Sequence, residues 1–362
     1  MKQSETLAAL LERSEVLRKL GQFAEANTLL ETALAQNPDK AAVLDLQEHL
    51  FVVQFSWAMH LEKVPDLKGA STHYQQAFAI AEKEAELRIT IKPNEVDAYF
   101  RASLHYKLAG HLKRVSDLEA ALAHYQQAYA DHKLLAPYFG AIDLVEMVEI
   151  YYKQKRYEEA LVCLKQLLPL YQKNKDQKSE AEALRAICNI YGQLHLDEEG
   201  IPYLKQWLAV SQEIKDQKNE ADALHLIGSV YFQLSMYEEA LQYLNQALLL
   251  SQAIKDRTKE GLILNHLALT HQFLGRPRQA LVFYNQALLL FQELKDRDRE
   301  ALILINMGST YKDLRLYKEA LHSYDQALPL VREVKNRRTE AAVLANMGSL
   351  HFALDHYQEA LH

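Results

Sequence analysis

The 362-residue chain carries 25% charged side chains and a formal net charge of −7, a balance that gives no overall pull toward nucleic acid or an anionic membrane. Eleven glycines and eight prolines are too few for the closely spaced turns of a β protein, while the helix formers Ala, Leu, Glu, Lys and Gln dominate. Two cysteines, Cys163 and Cys188, imply no disulfide framework and fit a reducing compartment.

The N-terminal MKQSETLAALLERSE is charged throughout and lacks the apolar core of a secretory signal. No window approaches the ~18 uninterrupted apolar residues of a membrane span, so no membrane contact and a cytoplasmic location are expected. Residues 6–38 outline one helix pair: Gly21-Gln22-Phe23-Ala24-Glu25-Ala26, then Ala33-Leu34, then Asn37-Pro38. Residues 41–90 and 95–135 share a near-identical fragment, Thr72-His73-Tyr74-Gln75-Gln76-Ala77 and Ala123-His124-Tyr125-Gln126-Gln127-Ala128. The equivalent alanines Ala26, Ala70 and Ala121 lie 44 and 51 residues apart, which predicts lengthened helices or inserted turns around 61–69 and 109–118. Pro93 and Pro137 are read as unit boundaries, because proline ends a helix at the residue before it.

From about residue 141 a period of forty residues takes over. Arg156-Tyr157-Glu158-Glu159-Ala160-Leu161 returns as Met236-Tyr237-Glu238-Glu239-Ala240-Leu241, as Leu316-Tyr317-Lys318-Glu319-Ala320-Leu321 and as His356-Tyr357-Gln358-Glu359-Ala360-Leu361. Three more columns hold the same step: Leu184, Leu224, Leu264, Leu304 and Leu344; Tyr151, Tyr191, Tyr231, His271, Tyr311 and His351; Glu180, Glu220, Glu260, Glu300 and Glu340. Within 220–234 and 237–254 the apolar residues fall three or four apart, so each unit is two helices, A and B, held antiparallel by a short turn. Gly228, Gly308 and Gly348 sit mid-helix, where glycine costs about 1 kcal/mol relative to alanine. Their recurrence predicts a close approach to helix B, with Ala240, Ala280, Ala320 and Ala360 as the matching small residues. The domain reading is therefore 1–140 for about three divergent pairs, two of them lengthened. Residues 141–362 form a regular array of five full units and a truncated sixth.

No Gly-rich phosphate loop, GxSxG or HExxH occurs, and no catalytic residue, cofactor or metal is expected. Cys163 and Cys188 fall on apolar columns and read as packing. His271 and His351 stand in for tyrosine. The Glu column lies in the first turn of helix A, where the helix dipole favours a carboxylate. The connector bases (Lys255, Arg257, Lys259; Lys295, Arg297, Arg299; Lys335, Arg337, Arg338) would align as a ridge. Asp256, Asp296 and Asp298 dilute it, so a solvated edge is the reading and nucleic acid the disfavoured alternative.

The pattern Leu304, Gly308, Tyr311, Tyr317, Ala320, Leu321, Tyr324, Ala327, Leu328 resembles the tetratricopeptide repeat (TPR). The forty-residue form is similar to that of LGN/Pins-type adaptors, kinesin light chains and bacterial multi-repeat peptide receptors. The resemblance implies an all-α, right-handed superhelical solenoid of antiparallel helix pairs, with the extra residues in helix B and the B-to-A connector. It also implies that the A helices line a concave groove. The columns pointing there follow the Leu, Gly and Tyr columns by one residue. They are Arg185, His225, Asn265, Ile305 and Ala345; Asn189, Ser229, Leu269, Ser309 and Ser349; and Gly192, Phe232, Gln272, Lys312 and Phe352. These columns vary while the packing columns repeat, as a surface serving a non-repeating protein or peptide would. Asn306 and Asn346 resemble a framework asparagine, read equally as bonding within the scaffold.

The expected role is a scaffold or adaptor that binds a protein or peptide segment. The alternatives are a bacterial peptide-sensing regulator and the repeat arm of a larger enzyme. The array stops at Ala360-Leu361-His362, inside a ninth B helix, which reads as a portion of a longer protein or as an open end completed by self-association.

Overall fold

A computed structural model describes residues 7–36, 40–63, 96–135 and 137–353, with parts of 66–83. Among the described residues every regular element is a helix. The chain divides into two compact units, Met1–Asn174 and Lys175–His362. This division by contact is a different property from the change of sequence register near residue 141.

The first unit holds α1 (Leu7–Lys19), α2 (Phe23–Gln36), α3 (Lys40–Lys63), α4 (Val96–Arg114), α5 (Leu118–Leu135), α6 (Pro137–Lys153) and α7 (Tyr157–Asn174), with further helical residues within 69–80. Ala26, Leu30, Leu46, Leu50 and Val53 make one core between α1, α2 and α3. Among the described helices of these early pairs, α3 has 24 residues and α4 has 19. No turn is inserted at 109–118, where α4 runs unbroken to Arg114 and α5 begins at Leu118. Pro137 opens α6, a position where its missing N–H costs nothing. Pro93 lies outside the described residues.

The second unit holds α8 (Gln177–Gln193), α9 (Asp197–Glu213), α10 (Gln217–Gln233), α11 (Tyr237–Ala253), α12 (Arg257–Phe273), α13 (Pro277–Leu294), α14 (Arg297–Asp313), α15 (Tyr317–Glu333) and α16 (Arg337–Ala353). The even-numbered helices here are the A helices and the odd-numbered ones the B helices. The B helix expected after α16 falls outside the described residues.

The connectors follow one rule. Lys175, His195, Lys215, Ser235, Lys255, Lys295, Arg315 and Lys335 all have φ between 56° and 60°, and Gly275 has φ 70°. A left-handed residue thus closes a helix every twenty residues. Around Lys215 the Asp216 N–H donates to the Ser211 carbonyl (2.9 Å) and the Lys215 N–H to that of Gln212 (3.1 Å), which satisfies two carbonyls of the helix end. Asp216 then caps the next helix, its carboxylate accepting from the Asn219 N–H at 3.0 Å. Asp176, Asp256 and Asp296 cap α8, α12 and α14 in the same way. One residue thus ends one helix and starts the next. For that reason the B-to-A connector is not lengthened, contrary to the expectation from sequence, and the extra residues lie in helices of 17 or 18 residues.

A second clasp repeats beside each connector. Gln212, Gln252 and Gln292 donate to Glu220, Glu260 and Glu300 at 3.0, 3.0 and 3.2 Å, and Arg332 takes the same place against Glu340. The Glu column therefore binds the preceding B helix as well as the helix dipole.

The packing columns do what their recurrence predicts. Leu184, Leu224, Leu264 and Leu304 are buried, each such side chain stabilising the fold by about 1.5–3 kcal/mol, while Leu344 in α16 is exposed. A Cβ on Gly228 would stand 2.7 Å from Leu244 and 3.3 Å from the Ala240 carbonyl; one on Gly308 would stand 2.6 Å from the Tyr324 ring. The aromatic column stacks on helix B: Tyr191 on Tyr203, Tyr231 on Tyr243, and His271 on Phe283 with ring planes 6° apart. His271 does replace tyrosine here, and burial lowers its pKa.

Candidate ligand-binding strip

Within the second unit, successive A helices touch: α10 meets α12 and α12 meets α14. Their shared face is stitched by hydrogen bonds that step by forty-one residues. His225 Nε2 lies 2.6 Å from His266 Nδ1, and the Asn306 amide donates to the Asn265 carbonyl at 3.0 Å. The Gln272 amide donates to Asp313 at 2.8 Å, while its carbonyl accepts from the Tyr284 hydroxyl (3.2 Å) and the Thr310 hydroxyl (3.0 Å). Ser309 shares a hydrogen with the Tyr324 hydroxyl at 3.1 Å.

Burial sets the charge state of this face. It lowers the pKa of His225 to about 3, helped by the neighbouring His266 and Lys259, and it lowers that of His266 as well. The two imidazoles are therefore neutral near pH 7, one donating and the other accepting. Burial likewise raises the Tyr284 and Tyr324 hydroxyls, which act as donors and acceptors and never as phenolates.

The residues singled out in the sequence fall into three groups. His225 and Asn265 are buried, and their polar ends are spent on the neighbouring A helix. Ser229, Phe232, Leu269, Gln272, Ile305, Ser309 and Lys312 are half-buried along the same face. Leu269 and Ile305 lean on core clusters. Phe232 packs on Tyr237 and edge-on to Phe273, with ring centres 5.6 and 5.3 Å apart. Arg185, Asn189 and Phe352 are exposed. The structure joins His225, Asn265, Gln272, Ser309 and Phe232 to partners the spacing argument had not chosen: His266, Asp313, Tyr284, Thr310, Tyr324 and Phe273. Asn306, noted in the sequence, takes the framework role. Phe273 (60% exposed) and Leu302 (46%) also stand on the A helices beside these columns. The missing signal was the step of forty-one, which reports contact between neighbouring helices and not the repeat itself.

Among the described residues no three His, Cys, Asp or Glu side chains converge as a metal site, and no helix is long and apolar enough to cross a membrane. Cys163 and Cys188 are buried, and burial pushes their thiols up to about 11 and about 12. Four of the nine connector bases are paired at home: Arg257 with Glu260 and Glu293, Arg297 with Glu300, Arg299 with Asp296, and Lys259 with Asp222.

A family model described as tetratricopeptide repeat matches residues 179–253, 219–293, 259–333 and 299–362, which together span just over half of the chain. The chain belongs to the tetratricopeptide-repeat family. No curated protein matches it. Three solved structures share its TPR fold. The apo form of RapI is 15% identical over 98% of this chain and 96% of its own, with a TM-score of 0.54. A signal-transduction ATPase with a tetratricopeptide-repeat sensor from Pyrococcus horikoshii is 18% identical over 87% of this chain, which spans 47% of that one, with a TM-score of 0.53. BtubC (BKLC) from P. vanneervenii is 18% identical over 57% of this chain and 84% of its own, with a TM-score of 0.50. At these identities the likeness is one of fold, and the chemistry of this TPR strip has to be read from its own side chains.

Proposed function

We propose that the chain is a protein- or peptide-binding scaffold that acts by binding and not by catalysis. Its binding surface is the A-helix strip of the second unit, and its ligand is an extended segment or a partner helix. The observation that carries this reading is the contrast between columns of one chain. Leu184, Leu224, Leu264 and Leu304, Gly228 and Gly308, and Ala240, Ala280 and Ala320 repeat and are buried, whereas the strip columns vary along the array, with serine recurring at 229, 309 and 349 and phenylalanine at 232 and 352. The position that holds Phe232 in α10 holds Gln272 in α12, Lys312 in α14 and Phe352 in α16.

Two features support it. The polar groups of the strip are held by neighbouring helices, so the surface is organised before any ligand arrives. Phe273, Leu302 and Phe352 stand 60%, 46% and 65% exposed among amides and hydroxyls, the mixture that grips a peptide through apolar pockets and hydrogen bonds.

Affinity capture with the intact protein and a paired set of variants tests the reading. Phe273→Ser with Lys312→Ala alters the strip at an exposed and a half-buried position, whereas Leu249→Ser with Leu289→Ser alters exposed leucines of the B helices. Loss of the captured partner with the first pair and its retention with the second is expected. Retention with the first and loss with the second contradicts it.

A further inference from the structure

The first unit contains a small pocket that the proposed strip does not use. It lies between α4, α5 and α6, encloses about 210 Å³, and is walled by Tyr106, Lys107, His132, Phe139, Ile142 and Asp143 among others. Asp143 is fully buried and His132 nearly so, and His132 Nδ1 donates to Asp143 Oδ2 at 2.7 Å. The other carboxylate oxygen, Oδ1, is buried with no hydrogen-bond partner. Leaving one oxygen of a buried carboxylate unserved costs about 1–3 kcal/mol, more when the group is ionised. A buried carboxylate oxygen without a partner is costly, so a donor supplied from outside would be stabilising at this place.

The described cation in the pocket wall does not serve it. Lys107 lines the pocket, but its ammonium sits over the Phe55 ring, 4.6 Å from the centroid, in an adjoining cleft. The rest of the wall is mostly apolar, with Phe139, tilted against the His132 ring at 5.6 Å, and Ile142, beside the side chains of Ser103 and Tyr106. Neither hydroxyl bonds Oδ1, so a partner for it brings its own donor. The volume holds the equivalent of about seven waters, enough for a stem of four to six carbons.

We propose that this pocket binds an amphiphilic cation, a primary ammonium or guanidinium on a short apolar stem, with the cation on Asp143 Oδ1 and the stem against Phe139 and Ile142. The cation compensates the buried carboxylate and makes a charge-assisted hydrogen bond, the strong kind. The same chemistry is carried by a free alkylamine and by a lysine or arginine side chain of another polypeptide. The site is separate from the A-helix strip, so its fate leaves the scaffold reading untouched.

Titration of the full chain, followed by chemical-shift changes of the His132 ring, tests it with four probes: n-butylamine, agmatine, n-butanol as the uncharged isostere, and the peptide acetyl-Ala-Lys-Ala-amide. The amines should bind at least tenfold more tightly than butanol, and Asp143→Asn should erase that difference. Ile142→Phe, which fills the pocket and leaves the carboxylate in place, should abolish amine binding and serves if Asp143→Asn does not fold. Binding of the peptide beside the free amines assigns the site to a side chain; binding of the free amines alone assigns it to a small metabolite. Equal affinity for amine and alcohol, amine binding undiminished in both variants, or no binding of any amine would overturn the proposal.

Discussion

Single residues decide how closely the helices approach. Gly228 and Gly308 each occupy a spot where a methyl group would press on a buried side chain of helix B. Alanine there gains about 1 kcal/mol of helix propensity, but overpacking against a rigid ring or a backbone carbonyl costs about 1–3 kcal/mol. Gly308→Ala should therefore destabilise the protein in urea, with Gly228→Ala following it. Gly192→Ala, where nothing lies within 4 Å of the added carbon, should be neutral or stabilising by up to about 1 kcal/mol. The buried histidine pair gives a second test at this scale. The folded state holds His225 far below its ordinary pKa, to about 3, because burial disfavours the charged ring. The unfolded chain takes up a proton near pH 6.5 and the folded chain does not. Stability is thus fully present above that pH and is lost as pH falls, at up to about 1.4 kcal/mol per pH unit from this group. His225→Gln should flatten that slope between pH 6 and 4 in thermal melts.

Elements here are cut to length by their ends. The Asp caps and left-handed closing residues set helices of 17 or 18 residues, so the register survives along the array. Asp256→Ala should cost about 1 kcal/mol in chemical denaturation, since it strips the first turn of α12 of its carboxylate acceptor. Much of this scale was legible in the sequence. The spacing of Leu224, Ile227 and Tyr231 showed helix A, and the columns of Leu, Gly and Ala showed where A meets B. The connector was misjudged because Lys215, Lys255 and Lys295 adopt a backbone conformation that glycine marks elsewhere; lysine gives no warning of it. The strip was half legible. Its columns could be placed by helical phase, but the pairing of His225 with His266 and of Gln272 with Asp313 depends on how one A helix slides past the next. The pocket at Asp143 was invisible, because it forms where the irregular α5 meets the first helix of the regular register and His132 has no repeated counterpart.

At the scale of the whole molecule, each compact unit offers a different kind of surface. The second unit carries a preformed strip with exposed Phe273, Leu302 and Phe352. The first carries a small pocket with a buried carboxylate in its wall. A repeat array is stabilised chiefly by neighbour-to-neighbour packing, so the strip can vary in side chain without loss of fold so long as the packing columns hold. The central claim is that the strip of A helices, and not the B-helix face, receives the partner. Amide hydrogen exchange of the protein with and without its captured partner measures this most directly. Slowed exchange confined to α10, α12 and α14 is the predicted result. Slowed exchange on α11, α13 and α15, with the A helices unchanged, would contradict it.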